Sequence, residues 1–147
     1  MKKFKFTLQA LFDYKVTVEK MQKAELKKAQ DALSDLVAEE MRLLKAYSDT
    51  EASLQRVLEE NINVAQALSE HDAYFRFLRD ALSIVREKIL AAQEVVRQRQ
   101  EELLITMKEI KTFNKLRDEQ LIVYKKEVQA EETKEIEDLV SFNVINE

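Results

Sequence analysis

The 147-residue chain contains no glycine, proline, cysteine or tryptophan. Glycine is the preferred residue wherever a turn needs a positive φ, so its absence disfavours hairpin-rich β folds and βαβ folds with tight glycine turns. Without cysteine there is neither a disulfide framework nor thiolate chemistry, which suits a reducing compartment. Aromatic residues are also scarce, at 7% of a chain that is 46% hydrophobic and 35% charged. This composition predicts an all-α chain with few turns.

The sequence also has few of the groups that catalysis, metal binding and membrane insertion commonly use. There is no glycine-rich phosphate loop, and the single histidine, His71, cannot supply the two Glu-x-x-His pairs of a helical di-iron site. No segment approaches about 18 consecutive apolar residues, the length of a membrane-spanning helix. A net charge of -4 without a long basic stripe speaks against nucleic-acid binding. We predict a cytoplasmic protein that is not an enzyme and has no catalytic residue, cofactor or metal ion.

Apolar residues recur from Leu26 to Phe113 at alternating steps of three and four, which is typical of a heptad coiled-coil seam. In each half of this stretch, ten of thirteen seam positions are apolar. The positions are Leu26, Ala29, Leu33, Leu36, Glu40, Leu43, Tyr47, Thr50, Leu54, Val57, Asn61, Val64, Leu68, His71, Phe75, Leu78, Leu82, Val85, Ile89, Ala92, Val96, Arg99, Leu103, Thr106, Ile110 and Phe113.

The two ends of the chain depart from this pattern. Before Leu26 the apolar stripe is offset, because the step from Met21 to Leu26 is five, and such a slip marks a change in how the helix meets its partner. The offset stripe comprises Phe4, Leu8, Leu11, Tyr14, Val18 and Met21. After Phe113 the apolar seam fails at Arg117 and Gln120. We expect the charged stretch from Glu131 to Asp138 to fray.

The only segment rich in turn-forming residues is 59–73, EENINVAQALSEHDA. Asn61 and Asn63 tolerate left-handed backbone, and Ser69 with Asp72 resembles a capping box, with His71 as a turn or cap residue. We therefore predict a long antiparallel two-helix coiled-coil hairpin, on the order of 90 Å long at about 1.5 Å per residue. Its predicted layout is a single domain, 1–147, with helix one at about 4–60, the turn at about 61–71 and helix two at about 72–140.

Charge is distributed unevenly along the chain. Residues 1–30 carry a net charge of +5 and residues 101–147 one of -5, so antiparallel pairing brings opposite charges together. A monomer that folds back satisfies this pattern, and an antiparallel dimer of unbroken helices satisfies it equally. Two other readings stay open: a homodimeric structural coiled coil in which 59–73 is helical, and a coiled-coil chaperone whose exposed aromatic residues bind clients.

Two clusters of residues are candidates for partner binding. Tyr74, Phe75 and Phe77 cover more than half of a helix circumference, and because Phe75 and Leu78 occupy the seam, Tyr74 and Phe77 are expected to be partly exposed. Exposed aromatic side chains are enriched in binding hot spots. The basic, amphipathic run from Lys2 to Phe12 fits insertion into a protein partner better than stable anchoring to lipid.

Three motifs resemble a known family when their order and spacing are taken together. They are Phe4-x-Phe6-x-Leu8-x-x-Leu11-Phe12-x-Tyr14-Lys15, Tyr74-x-x-Phe77-Leu78-x-x-Ala81-Leu82, and Lys115-Leu116-Arg117-Asp118-Glu119-Gln120 followed by Lys134-Glu135-Ile136-Glu137-Asp138. In these motifs and in its length, the chain is similar to the flagellar export protein FliJ family. The resemblance covers nearly the whole sequence.

The resemblance implies a stalk similar to the central shaft of rotary ATPases, standing in the hexameric flagellum-specific export ATPase. It further implies contacts with the export gate membrane protein and with export chaperones, and a peripheral position at the cytoplasmic face of the membrane. The protein would serve flagellum biogenesis and thereby motility and chemotaxis. By this resemblance the ATPase end comprises Phe4, Phe6, Leu8 and Leu11. The gate face comprises Leu44, Tyr47, Phe77 and Ala81.

Overall fold

The computed structural model describes residues 3–146, which form two helices and no strand. Helix α1 spans Gln9–Glu60 and helix α2 spans Val64–Asn146. Residues 3–8 precede α1 without forming regular helix, and residues 61–63 connect the two helices. The predicted all-α fold of two long helices that pack against each other is confirmed.

The turn between the helices is built on two asparagines in the left-handed region. Asn61 has a φ of 55° and Asn63 a φ of 53°. The Asn61 amide donates to the Val57 carbonyl at 3.0 Å and closes α1, while the Asn63 carbonyl accepts from the Ala67 amide at 3.0 Å and opens α2. Asparagine takes the place that glycine usually occupies after a helix, because its short polar side chain tolerates this conformation. The reading in which 59–73 is continuous helix is therefore wrong.

The predicted turn over 61–71 is too long, because α2 begins at Val64 and not at about residue 72. Ser69 and Asp72 lie exposed within α2 and cap nothing, since Asn63 already provides the first carbonyl of the helix. His71 is a half-buried seam residue, not a turn or cap residue. Its Nδ1 lies 2.6 Å from the Ala67 carbonyl oxygen, and its Nε2 lies 3.5 Å from Ser53 Oγ.

The chain divides into two compact units. One, which we call the turn unit, spans Gln22–Glu102; the other, the terminal unit, comprises the described residues 3–21 and 103–146. Each contains a part of both helices. The prediction that 1–147 forms a single domain stays a prediction.

In the turn unit the two helices run antiparallel around the predicted seam. Its core consists of Leu43, Leu78, Leu82, Val85 and Ile89. Of the predicted seam positions in this unit, all are buried or half-buried except Asn61 and Leu68. The ion pairs Arg86–Glu40 and Arg99–Glu25 join the two helices beside the seam, which fixes how α1 and α2 are aligned in this unit.

In the terminal unit the seam differs from the predicted stripe. The Phe12 and Phe113 rings meet edge to face at 6.5 Å, and Lys15 pairs with Glu109. Leu8, just before α1, and Phe12, Lys15 and Glu19 on α1 are half-buried at the alternating three and four steps of the turn unit. Val16 and Val18 are half-buried beside them, but the seam keeps its phase, so the predicted phase slip is wrong. The cause is that polar residues occupy this part of the seam while apolar residues occupy the neighbouring face.

The opposite side of this seam also continues past Phe113. Arg117 and Gln120 are half-buried at the positions where the apolar pattern fails. The Arg117 guanidinium carbon lies 6.0 Å from the centre of the Phe12 ring, and the Gln120 side-chain amide donates to Thr7 Oγ1 at 3.2 Å. The seam therefore continues past Phe113 with the same spacing, but polar residues replace apolar ones at these two positions.

Helix α1 begins at Gln9 and not at residue 4 as predicted, so the N-terminal run is not an amphipathic helix over its first residues. Phe6 is buried, and the Phe4 ring lies 5.5 Å from that of Tyr124. Residues two apart share a face in extended backbone but lie on nearly opposite faces of a helix, so both rings reach α2 only if this stretch is not helical. Lys2, part of the predicted basic run, lies outside the described residues.

Helix α2 continues beyond the predicted end at residue 140 and includes Glu131 to Asp138, because its Glu, Lys and Leu residues favour helix. That this stretch frays stays a prediction. Every residue of 129–145, the tail, is exposed. The tail carries one basic and five acidic residues, a net charge of -4. The rest of the terminal unit, 3–21 and 103–128, carries ten basic and six acidic residues, a net charge of +4. The basic N-terminal segment does lie beside the C-terminal one, as the pair Lys15–Glu109 shows, but the excess of acidic residues lies in the tail, beyond the paired part of α2.

Candidate partner-binding surfaces

The four residues predicted for the ATPase end lie in the terminal unit, in two different environments. Phe6 is buried, while Phe4 and Leu8 are half-buried, and the Phe6 carbonyl accepts from the Gln9 amide at 3.1 Å where α1 begins. These three side chains hold the N-terminal segment against its own unit. Leu11 is 45% exposed and leaves its apolar side chain available to a partner.

The four residues predicted for the gate face lie in the turn unit and are likewise divided. Tyr47 and Ala81 pack against the buried core, and the Tyr47 ring lies 4.8 Å from that of Phe75. Leu44 and Phe77 are exposed, Phe77 to 63%. The structure thus brings Tyr47 and Ala81 together through the core, and leaves Leu44 and Phe77 as the surface-accessible members of the set.

Tyr74 and Phe77 are stacked on the surface of α2, with ring centres 6.2 Å apart and planes inclined by 20°. Tyr74 also borders an open groove that crosses to α1, whose lining includes Ala46, Ser53 and His71. The prediction that a two-stranded seam leaves both rings partly exposed is confirmed. Because the two rings are adjacent and nearly parallel, they offer a ligand one aromatic surface.

Several charged side chains of the turn unit form ion pairs. The Arg42 guanidinium bonds both carboxylate oxygens of Glu39 and lowers the pKa of that carboxyl, and Glu39 raises the pKa of Arg42. Arg97 lowers the pKa of Glu94 in the same way. These are exposed pairs three residues apart on one helix, so they support helix formation modestly.

The described residues, 3–146, contain no group of three or more His, Asp or Glu side chains arranged to hold a metal ion. Within the same range, neither helix contains a stretch that is apolar over the length needed to cross a membrane. What the surface does offer is apolar area outside the seam, in both units.

Sequence reasoning placed one such surface incorrectly and missed another. Leu11, Tyr14 and Met21 were expected in the seam, yet they are 45%, 61% and 59% exposed. The tail of α2 exposes a second set, whose members share helical spacing: Ile136, Leu139, Val140 and Val144. The spacing of the tail residues was a signal available in the sequence, but the surrounding charges obscured it.

Comparison with known proteins agrees with the resemblance drawn from the sequence motifs. Residues 4–147 match the family described as Flagellar FliJ protein. No curated protein matches the chain. Nor does any solved structure. Since the family match covers nearly the whole chain, the chain belongs to the FliJ family and is a component of the flagellar protein export apparatus.

Proposed function

We propose that the chain is a non-enzymatic stalk and adaptor that couples the hexameric export ATPase to the export gate membrane protein and binds export chaperones. The terminal unit docks on the ATPase and the turn unit contacts the gate, at the cytoplasmic face of the membrane. The observation that carries this proposal is that each unit exposes large apolar side chains outside its seam, among them Leu11 in the terminal unit and Phe77 in the turn unit. Exposed apolar residues of this kind mark interaction sites.

The ATPase contact is tested with Leu11→Asp, which puts a charge on the exposed residue of the predicted ATPase end. We expect the variant to stimulate the cognate ATPase with an apparent affinity at least about tenfold weaker, as when an interface hot spot is lost. Helicity by circular dichroism should not change, because the side chain is outside the seam. Leu104→Asp is the matched control, since Leu104 belongs to the same unit and is similarly exposed.

Phe6→Ala separates docking from packing at the same end. Phe6 is buried, so its truncation should lower stability first and stimulation only as a consequence. If Leu11→Asp stimulates as well as the unmodified chain, then this end does not dock on the ATPase.

The gate contact is tested with Phe77→Ala in a binding assay against the soluble part of the gate protein. Because removal of an aromatic hot spot costs ~2 kcal/mol or more, we expect binding to weaken at least about tenfold. Leu90→Ala is the control, since Leu90 is exposed on the same helix. Unchanged gate binding by Phe77→Ala would remove Phe77 from the gate face. Stimulation of the ATPase by this variant should persist, because Phe77 and Leu11 belong to different units.

A further inference from the structure

The two accessible residues of the predicted gate face, Leu44 and Phe77, lie on opposite edges of the turn unit. On α1, Ala46 lines the groove that Tyr74 borders, and Leu44 is two residues before Ala46, about 200° around the helix. On α2, Phe77 stacks on Tyr74 and is therefore at the same edge as the groove. Leu44 and Phe77 thus belong to two different surfaces, and a partner that covers one leaves the other accessible.

An ion pair between the helices marks the edge that contains Leu44. Arg86 Nε lies 3.2 Å from Glu40 Oε2. Val37 precedes Glu40 by three residues and Leu44 follows it by four, and residues at these spacings are neighbours on a helix surface. Val37 and Leu44 therefore lie on either side, along the helix axis, of the point at which Arg86 reaches α1.

Helix α2 contributes Arg79 and Leu90 to the same edge. Arg79 precedes Arg86 by seven residues and Leu90 follows it by four, and residues at these spacings share one side of a helix. Since the helices run antiparallel, Arg79 lies towards Leu44 and Leu90 lies towards Val37. We call this edge the Leu44 surface. It comprises Val37, Met41, Leu44, Arg79, Arg86 and Leu90.

The apolar part of the Leu44 surface has the spacing and exposure of a helix-binding site. Val37, Met41 and Leu44 follow one another at steps of four and three, and all three are exposed. On α2, Leu90 is exposed as well. Ala38 is small and exposed beside Met41, which allows another helix to approach closely. A stripe of this kind, about 10 Å long, receives about two turns of an amphipathic helix.

The charged part of the Leu44 surface favours an acidic partner. Arg79 and Arg86 are both exposed, and Arg79 has no ion-pair partner within the described part of the chain. Glu40 is half-buried and its charge is already balanced by Arg86. Closer to the turn the same edge carries Glu51 and Asp72, which bound the basic part on that side. An exposed guanidinium binds a carboxylate through two parallel hydrogen bonds.

We propose that the Leu44 surface binds an amphipathic helix of a partner protein that carries carboxylate side chains along one edge. The apolar face of this helix packs on Val37, Met41 and Leu44, and its carboxylates pair with Arg79. Leu44 is thereby assigned to a second partner and not to the surface that Phe77 offers to the gate. Because the two surfaces lie on opposite edges, the turn unit can hold both partners at once.

The proposal is tested by fluorescence anisotropy of the full chain with three synthetic helical peptides of about 18 residues, built on alanine. One carries leucines at steps of three and four flanked by glutamates, the second has lysines in place of the glutamates, and the third is a scramble of the first. The first should bind at about 100 µM or tighter, and more weakly as salt rises from about 0.05 to 0.5 M. The others should bind at least about tenfold more weakly. No binding of the first peptide, or equal binding of the first two, would overturn the proposal.

Variants of the chain locate the contact. Leu44→Asp should weaken binding of the glutamate peptide at least about tenfold. Phe77→Asp is the matched control, since it puts the same charge on an exposed apolar residue of the opposite edge, and it should leave binding unchanged. Arg79→Glu should remove the preference for the glutamate peptide over the lysine peptide, without loss of helicity by circular dichroism. Equal effects of Leu44→Asp and Phe77→Asp would overturn the proposal.

Sedimentation equilibrium of the full chain between about 1 and 100 µM separates a partner helix from a second copy of this chain. The chain should not associate through the Leu44 surface. A dimer that Leu44→Asp dissociates and Phe77→Asp does not would show that a second copy occupies the surface, which would overturn the assignment to a partner protein. The peptides contain no part of the ATPase or the gate protein, so failure here leaves those two contacts unaffected.

Discussion

Leu78 and Phe77 are neighbours in the sequence with opposite environments, and truncating each to alanine separates packing from recognition. Leu78 is 1% exposed and lies in the core of the turn unit, whereas Phe77 projects from the surface of α2. Leucine-to-alanine changes in cores cost ~2 to 5 kcal/mol. We expect about 2 to 3 kcal/mol for Leu78→Ala, at the low end, because a core between only two helices relaxes easily and admits water.

Phe77→Ala should cost less than about 0.5 kcal/mol of unfolding free energy, as exposed substitutions do, although it removes the larger side chain. Urea unfolding followed by far-UV circular dichroism measures both values. Equal destabilisation by the two variants would mean that Phe77 packs against the protein and would refute its role in the gate face. The same unfolding curves test the prediction that 1–147 is a single domain. A single transition supports it. Two transitions, with only one of them shifted by Leu78→Ala, contradict it.

Three further predictions follow from the seam, the turn and the ion pairs. Phe12→Ala should lower the free energy of unfolding by about 2 kcal/mol, roughly half the effect at a fully buried phenylalanine. Leu11→Ala should lower it by less than about 0.5 kcal/mol. If urea unfolding gives the reverse order, the seam follows the offset stripe that contains Leu11. Asn63→Ala should lower the melting midpoint measured by thermal circular dichroism and Asn63→Gly should not, because glycine and asparagine tolerate the positive φ and alanine does so poorly. Arg97→Gln should raise the pKa of Glu94 in an NMR titration, because Arg97 lowers this pKa in the folded state. The pair therefore stabilises the protein at pH values above the ordinary carboxyl pKa, and this stabilisation is lost as the pH falls through the lowered pKa. An unchanged titration of Glu94 would contradict the pairing.

Periodicity predicted the fold well where seam positions are apolar. From Leu26 to Phe113 the pattern predicts burial at every seam position except Asn61 and Leu68, which lie at or near the turn, and the asparagines at 61 and 63 located the turn. The start of α2 was placed too late for a local reason. Ser69 and Asp72 have the spacing of a cap, but the backbone at Asn63 had already started the helix.

The apolar periodicity gave the wrong seam in the terminal unit, where polar residues occupy seam positions. Lys15 occupies the seam because Glu109 pairs with it, and Arg117 does so because its guanidinium lies against Phe12. Apolar counting cannot detect such pairs, since they depend on which residue stands opposite, and so it selected the exposed stripe at Leu11 instead. For the same reason the candidate site could be predicted only as a set of residues. Which of these residues pack in the interior and which are accessible to a partner depends on how the two helices are aligned, and only the structure gives that alignment.

The exposed tail of α2 is already helical before any partner binds, which lowers the free-energy cost of binding. An isolated helix must first form a costly nucleus before it can lengthen, so a short helical segment is only marginally stable alone in water. The tail is spared that step, because it grows from residues such as Tyr124 and Val128 that are already held in the helix by packing. A disordered segment that folds on binding loses ~2 to 5 kcal/mol of its interaction energy to ordering. By extending an existing helix, the tail avoids much of this loss and can engage or release a partner without any change in the packed residues behind it.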